Sequence, residues 1–333
     1  MEVTIKDIAV AGGFSITAVS RALSGKDGVS EETRKKIQAI AKEMGYVPNV
    51  VARSLRTKRT KTLGVIIEDI TKPYFSKIVK GIDDTAKALD YDILICNTNL
   101  DPVQELRSVN TLLQRSVDGI IFHPSQLTDK GIKLLQKSGI PFITISRRFP
   151  NFKSDYVITN NSEGIKTIFN YLVSKGCRDI LFFNSPLFSS TSQDRMAGYR
   201  EALRENGFEY REEKVVISKS NFEAAYSTML QLLDEKKVNF DSVLCGRDEI
   251  AIGVMEALLE RGYRIPEDVR ITGYDDLDNS RYLKISLTTR HQPVYEIGQK
   301  SVEILTERIS LKTPKKGFEE IVLSSKLVVR DSA

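Results

Sequence analysis

Apolar and polar positions change rhythm once along the chain, near residue 61. Before that point apolar residues recur at three- and four-residue intervals in short sets: Ile5, Ile8, Ala9 and Val10, then Val19, Ala22 and Leu23, then a longer set that opens after Ser30 and stops near Gly45. Such spacing marks helices that bury one face. Thr4, Ser15 and Ser30 stand where an N-cap belongs, and Gly12 and Gly13 break the first helix from the second. The spacing therefore predicts helices over residues 5–11 and 16–23, with a third from Ser30 to about 45. In the second, Ile16, Thr17, Ser20 and Arg21 are left facing out. Two short helices joined by a glycine-bearing turn and braced by a third make a helix-turn-helix unit.

From residue 62 the rhythm becomes nearly continuous apolar runs alternating with helical stretches. The runs are Leu63 to Ile67, Ile93 to Cys96, Gly119 to Phe122, Phe142 to Ile145, Ile180 to Phe183, Val215 to Ile217, Ser242 to Cys245 and Arg270 to Gly273. Helical stretches such as Tyr74 to Leu89 and Met196 to Asn206 lie between them. Strands of this kind are buried on both faces, so the pattern predicts parallel sheets covered by helices. It occurs twice, over about 62–160 and 161–289, which predicts two lobes. A ligand would bind between them, beyond the carboxyl ends of the strands.

Composition narrows the class. A length of 333 residues predicts two or three folded units, and 41% apolar with 28% charged residues is ordinary globular composition. No stretch approaches the roughly 18 apolar residues that span a bilayer, and the charged N-terminus lacks the pattern of a secretory signal. A cytoplasmic protein with no membrane partner is expected. Cys96, Cys177 and Cys245 show no C-x-x-C spacing, so neither a disulfide framework nor a zinc site is expected. The net charge of +5 is unevenly placed: residues 1–61 carry +6 and residues 62–333 carry -1. All the excess sits on the small helical module, which suits a polyanion.

The run VTIKDIAVAGGFSITAVSRALSGKDGVSEETRKKIQAIAKEMGYVPNVVARSLRTKRT resembles the DNA-binding headpiece of the LacI/GalR family of bacterial transcription regulators. GVIIEDITKPYF, VDGIIF, DRMAGYREAL, DEIAIGVMEAL, VRITGYDD and LTTRHQP extend the resemblance through the body. It implies an all-α helix-turn-helix headpiece (1–47), a hinge helix and linker (48–61), and an α/β two-lobed, periplasmic-binding-protein-like body with parallel sheets (62–333). Lobe one would hold about 62–160 and 290–320, and lobe two about 161–289 and 321–333, with Val294 to about Ser310 returning to lobe one.

The resemblance also assigns roles. Ile16 and Thr17 match positions that choose between operators, and Arg21 one that reaches a guanine edge. Thr4, Ser15, Ser20 and Tyr46 match phosphate or sugar contacts. Asn49 matches the start of the hinge helix, with Ala52 and Leu55 at its minor-groove positions; Leu55 covering the body is the alternative. Gly12, where Ala is common, is expected to loosen helix one. In the cleft, Asp69, Tyr74 and Phe75 follow the first strand, Arg195 matches an Arg that holds effector oxygens, and Asp275 a carboxylate that accepts their hydrogens. Core roles for Tyr74 and Phe75, and a turn role for Asp275, remain open.

Departures from the family pattern carry a further expectation. Ser146, followed by Arg147 and Arg148, stands where an Asp is frequent, Arg247 where an Asn is, and Asn160 where an Asp is. With Arg147 and Arg247 the pocket gains guanidinium and loses carboxylate, which suits an anionic sugar acid or phosphosugar. Arg247 pairing with Asp248 or Glu249 is the plain alternative.

No phosphate loop, dinucleotide fingerprint or nucleophile elbow is present, and His123 and His291 lack metal-ligand spacing. No enzyme, cofactor or metal is expected. The expected protein is a homodimeric, operator-binding regulator, and in sense a repressor, controlled by a small effector. Only four residues follow Val329, too few for a C-terminal heptad helix that would assemble tetramers. The family also uses a phosphoprotein corepressor, a further partner. A sugar receptor or sugar-processing enzyme with an accessory DNA-binding domain is the alternative; a bare receptor would leave the basic headpiece without a role.

Overall fold

A computed structural model describes residues 3–46, 59–236, 238–311 and 317–333. The chain divides into two compact units between Thr60 and Lys61.

The first unit holds α1 (Ile5–Gly12), α2 (Ile16–Leu23) and α3 (Glu31–Glu43). Ser15 and Ser30 start their helices by accepting the backbone N–H of Ala18 at 3.1 Å and of Thr33 at 3.3 Å. Ile8, Ala9, Val19, Ala22, Ile37 and Ala41 form the core. Val10, one step past that face, is 84% exposed. The expectation for Gly12 is corrected: a Cβ there would lie 2.6 Å from the Phe14 ring and 2.8 Å from Ile40. The missing side chain admits Phe14 to the helix, so it tightens the turn instead of loosening it. Gly13 takes the left-handed φ of 67° that ends α1.

The second unit runs β1 (Thr62–Ile67), α4 (Pro73–Ala88), β2 (Asp92–Asn97), α5 (Pro102–Gln114), β3 (Gly119–Phe122), α6 (Lys130–Ser138), β4 (Phe142–Ile145), β5 (Asp155–Thr159), α7 (Asn161–Ser174), β6 (Ile180–Asn184), α8 (Ser190–Glu205), β7 (Val215–Ile217), α9 (Phe222–Glu235), β8 (Ser242–Cys245), α10 (Asp248–Glu260), β9 (Arg270–Thr272), β10 (Thr289–His291), α11 (Val294–Ser310), β11 (Glu320–Leu323) and β12 (Lys326–Val328). Lobe one is a parallel sheet in the order β11-β5-β4-β3-β1-β2, and lobe two a parallel sheet in the order β7-β6-β8-β9. β10 and β12 pair antiparallel between Thr289 and Val328.

The chain crosses between lobes after β5, after β10 and after β11. Residues 321–323, expected in lobe two, instead lengthen the lobe-one sheet beside β5. α8 opens at Ser190, six residues before the expected Met196. Its first turn, Ser-Thr-Ser-Gln-Asp, is polar and carries no apolar rhythm, but Ser189 caps it by accepting the N–H of Ser192.

α11 is fastened to lobe one by a close backbone crossing. A Cβ on Gly81 of α4 would fall 2.2 Å from the carbonyl oxygen of Tyr295, and one on Gly298 of α11 would fall 2.3 Å from that of Ile78. Val294, Ile297, Val302 and Leu305 join the lobe-one core of Leu63, Val65, Ile78 and Ile82.

Candidate functional site

In the headpiece, Ile16 (51% exposed), Thr17 and Arg21 stand outward on α2, away from the core face of Val19 and Ala22. Ser15 accepts the Ala18 N–H and keeps its own O–H to give. Thr4 differs: its N–H and O–H both donate to Asp7 Oδ2, at 2.8 and 2.7 Å. Those bonds hold the Asp7 carboxyl below its usual range. Both donors a phosphate would need from Thr4 are thus engaged within the headpiece. Tyr46 is half-buried against the headpiece core, and Ser20 is half-buried on α2. Asn49, Ala52 and Leu55 lie outside the described residues.

The lobe-one wall of the cleft is built at the ends of β1, β3 and β4. Glu68, the residue after β1, is 6% exposed and receives Lys72 Nζ at 2.7 Å and Arg147 at 3.6 Å. Burial pushes its carboxyl up, but Arg247, Lys72 and Arg147 together outweigh burial and hold it below the usual range. Arg147 also donates to the carbonyls of Pro124 and Ser125 at 2.8 and 2.9 Å. Burial lowers its pKa to about 10 against the pull of Glu68, so it stays charged at neutral pH.

The residues after β1 divide. Tyr74 donates its hydroxyl to Ser146 Oγ at 2.9 Å. Phe75 is corrected: it is 2% exposed, lies within the lobe-one core, and meets the buried His123 edge-on at 4.7 Å between ring centres. Helical geometry turns adjacent residues about 100° apart, so Tyr74 and Phe75 cannot share one face. Asp69 accepts the N–H and O–H of Thr71 at 3.0 and 2.7 Å, a local turn that occupies one carboxylate oxygen.

The lobe-two wall is built on α8, α10 and the loop after β9. Arg195, 2% exposed, donates to Asn161 Oδ1 at 3.0 Å and to the Gly246 carbonyl, lies 3.9 Å from Asp275 Oδ1, and stacks 3.9 Å over the Tyr274 ring. Asp275 is held in an unusual backbone conformation, φ 137°, and receives Gln292 Nε2 at 2.6 Å. Burial raises its pKa against Arg247 and Arg195.

Arg247 does not pair with Asp248. That carboxylate faces the other way, accepting the N–H of Leu277 at 2.8 Å, the hydroxyl of Ser280 at 2.7 Å and the hydroxyl of Thr289. Arg247 instead sits in the fields of Asp275 and Glu68, which with Glu249 outweigh burial and raise its pKa. Its Nε is buried with no hydrogen-bond partner among the described residues.

Arg147, Arg195, Arg247 and Asp275 therefore gather about one cleft with Glu68 and Gln292, which the sequence reading passed over. The visible signal was position alone: each follows directly after a strand end. A cavity of about 360 Å³ opens beside the second crossing, lined by Tyr74, Lys77, Asp275, Leu277, Gln292 and Val294 among others; it shares Tyr74, Asp275 and Gln292 with the cleft, but none of the three arginines lines it. It is of a size for a small molecule. Donors and acceptors surround it, and the described residues that line it include no serine, threonine or cysteine. Among the described residues no cluster of three or more His, Cys, Asp or Glu could hold a metal, and no helix is long and apolar enough to cross a membrane.

Known proteins match both units of the chain. Residues 4–49 match the model of bacterial regulatory proteins of the lacI family, and residues 60–326 match that of periplasmic binding proteins and the sugar binding domain of the LacI family. The HTH-type transcriptional regulator RegA of Clostridium saccharobutylicum is 32% identical over 335 residues, covering 100% of this chain and 99% of RegA. The HTH-type transcriptional repressor PurR of Glaesserella parasuis serovar 5 (strain SH0165) is 32% identical over 92% of this chain and 90% of its own. The crystal structure of the lac repressor dimer bound to operator and the anti-inducer ONPF superposes with a TM-score of 0.89 at 26% identity, covering 100% of this chain and 99% of that one. A basic helix-turn-helix headpiece, a two-lobed body and these matches together make the chain a member of the LacI family, a DNA-binding transcription regulator controlled by a small effector and not an enzyme.

Proposed function

We propose that the chain acts as a cytoplasmic homodimeric repressor whose effector is a small anionic carbohydrate, a sugar acid or phosphosugar. Two headpieces on a two-fold dimer read the half-sites of a pseudopalindromic operator, with Ile16, Thr17 and Arg21 at the base edges. Residues 48–61 serve as the hinge between headpiece and body.

The observation that carries the effector class is Arg247. Its Nε lies buried with no hydrogen-bond partner among the described residues, in a cleft that already holds two other guanidiniums. A buried donor left unpaired costs about 1–3 kcal/mol, and a carboxylate or phosphate oxygen would supply the missing acceptor. Glu68 balances Arg147, and Asp275 faces Arg195; among the described residues of the cleft, Arg247 has bonding capacity to spare. Asp275 and Gln292 are placed for ring hydroxyls.

Isothermal titration with glucose, gluconate, galacturonate and glucose 6-phosphate tests the class. An acid or phosphate should bind, and Arg247→Asn should abolish that binding. Tight binding of the neutral sugar, with none of its acid or phosphate forms, would refute the proposal.

A further inference from the structure

The residues beside the two cleft arginines are bonded to each other. Arg148 follows Arg147 in lobe one, and Asp194 precedes Arg195 in lobe two. Arg148 donates from both terminal nitrogens to both Asp194 oxygens, at 2.6 and 3.0 Å. Such two-pronged pairing fixes orientation as well as distance.

Neutral bonds cross the cleft at the same rim. The Arg148 N–H donates to Ser190 Oγ at 3.2 Å, and the Ser190 N–H donates to Gln126 Oε1 at 2.7 Å. Within lobe one, Gln126 Nε2 donates to the Arg148 carbonyl at 2.7 Å, and across the cleft Thr191 Oγ1 donates to the Ser146 carbonyl at 3.2 Å. Gln126 and Ser146 adopt left-handed backbone, φ 62° and 61°, which non-glycine residues take up at a cost. Both are held where they can bond across the gap.

We propose that Arg148, Asp194 and Gln126 are positioning residues that latch the two lobes together before any effector arrives. The latch holds Arg147 and Arg195 at a set separation, so the effector enters a site already assembled. This goes beyond the effector class and rests only on the two-lobed cleft.

Hydrogen exchange on the full-length protein with no added ligand tests it, so its outcome is independent of which effector binds. The reporters are the amides of Arg148 and Ser190, whose acceptors lie on the opposite lobe; amides of β1 and β6 monitor folding. Arg148→Ala and Gln126→Ala should each speed exchange at both reporters about two- to five-fold, the upper part of the range for a partly exposed ion pair. β1 and β6 should not change. The charge-swapped double variant Arg148→Asp with Asp194→Arg should restore protection. Unprotected reporters in the wild type, unchanged rates in Arg148→Ala, or a swap that rescues nothing would overturn the latch. If Arg148→Ala fails to fold, Gln126→Ala and 0.5 M salt on the wild type read the same amides.

Discussion

The amide of Gln292 donates to Asp275 at 2.6 Å, and its oxygen accepts the hydroxyl of Thr159 at 2.7 Å. Thr159 ends β5 at the first crossing between lobes, and Gln292 sits in the second. One side chain therefore ties two crossings together and orients the cleft carboxylate. Gln292→Ala should cost about 1–3 kcal/mol, because a buried hydroxyl and carboxylate each lose a partner. Urea unfolding measures this. Effector affinity should fall roughly ten-fold, equivalent to about 1.4 kcal/mol. Wild-type stability in the variant would mean that Thr159 and Asp275 do not depend on it.

Asp248 makes stability depend on pH. Complete burial, with Asp275 nearby, raises its pKa to about 7. The folded protein thus holds this proton more tightly than the unfolded chain, so its contribution is present below the unfolded pKa and lost as pH rises toward 7. The slope is at most about 1.4 kcal/mol per pH unit. His123 acts oppositely: burial, then Arg147, holds its pKa well below the usual value, so its contribution is lost as pH falls below about 6.5. Urea midpoints of wild type and Asp248→Asn, compared between pH 5.5 and 7.5, separate the two. The variant's relative stability should improve as pH rises; parallel curves would show that Asp248 does not titrate there.

Gly81 should not tolerate a methyl group. Its ideal Cβ position lies 2.2 Å from a backbone carbonyl, which cannot rotate away. Gly81→Ala should lower stability by about 1–3 kcal/mol, although alanine favours helix by about 1 kcal/mol. A rise in the urea midpoint would show that propensity outweighs the crossing.

Thr4 and Arg21 should respond differently to truncation. Thr4→Ala removes a donor to Asp7 and should destabilise the headpiece by about 1 kcal/mol, with equal losses for operator and random DNA. Arg21→Ala should leave headpiece stability unchanged but cost about 1–3 kcal/mol of discrimination at one base pair. Thermal unfolding and competition band shifts distinguish the two; selective loss of operator by Thr4→Ala would assign it to DNA.

Periodicity made most of this architecture legible. The spacing of Val19, Ala22 and Leu23 delimits α2 to the residue, and the runs GIIF and FITI coincide with β3 and β4. Strands as short as β7 and β8 were legible, but β5, β10, β11 and β12 escaped because their sequences, DYVIT, TRH, EIVL and KLV, set at most three apolar residues beside a charged side chain. Of the candidate site, the family resemblance reached Arg195, Arg247 and Asp275, which lie about one cleft. Glu68, His123 and Gln292 were not legible, because a polar residue just past a strand end has no periodic signature. Phe75 misled because matching a motif position says nothing about which way a helix has turned.

The three crossings are bonded side by side, the first to the second through Thr159 and Gln292 and the second to the third through the β10–β12 pairing. The Gly81–Gly298 contact makes α11 part of lobe one instead of a loose strap. A single tether would let two bodies swing, twist and slide, but a row of joined tethers bends readily about only one axis. Whatever releases the rim contacts between the lobes would then change how far they part while leaving the direction unchanged. Chemically different ligands would differ only in how much of that one motion they permit, as settings of a single mechanical variable.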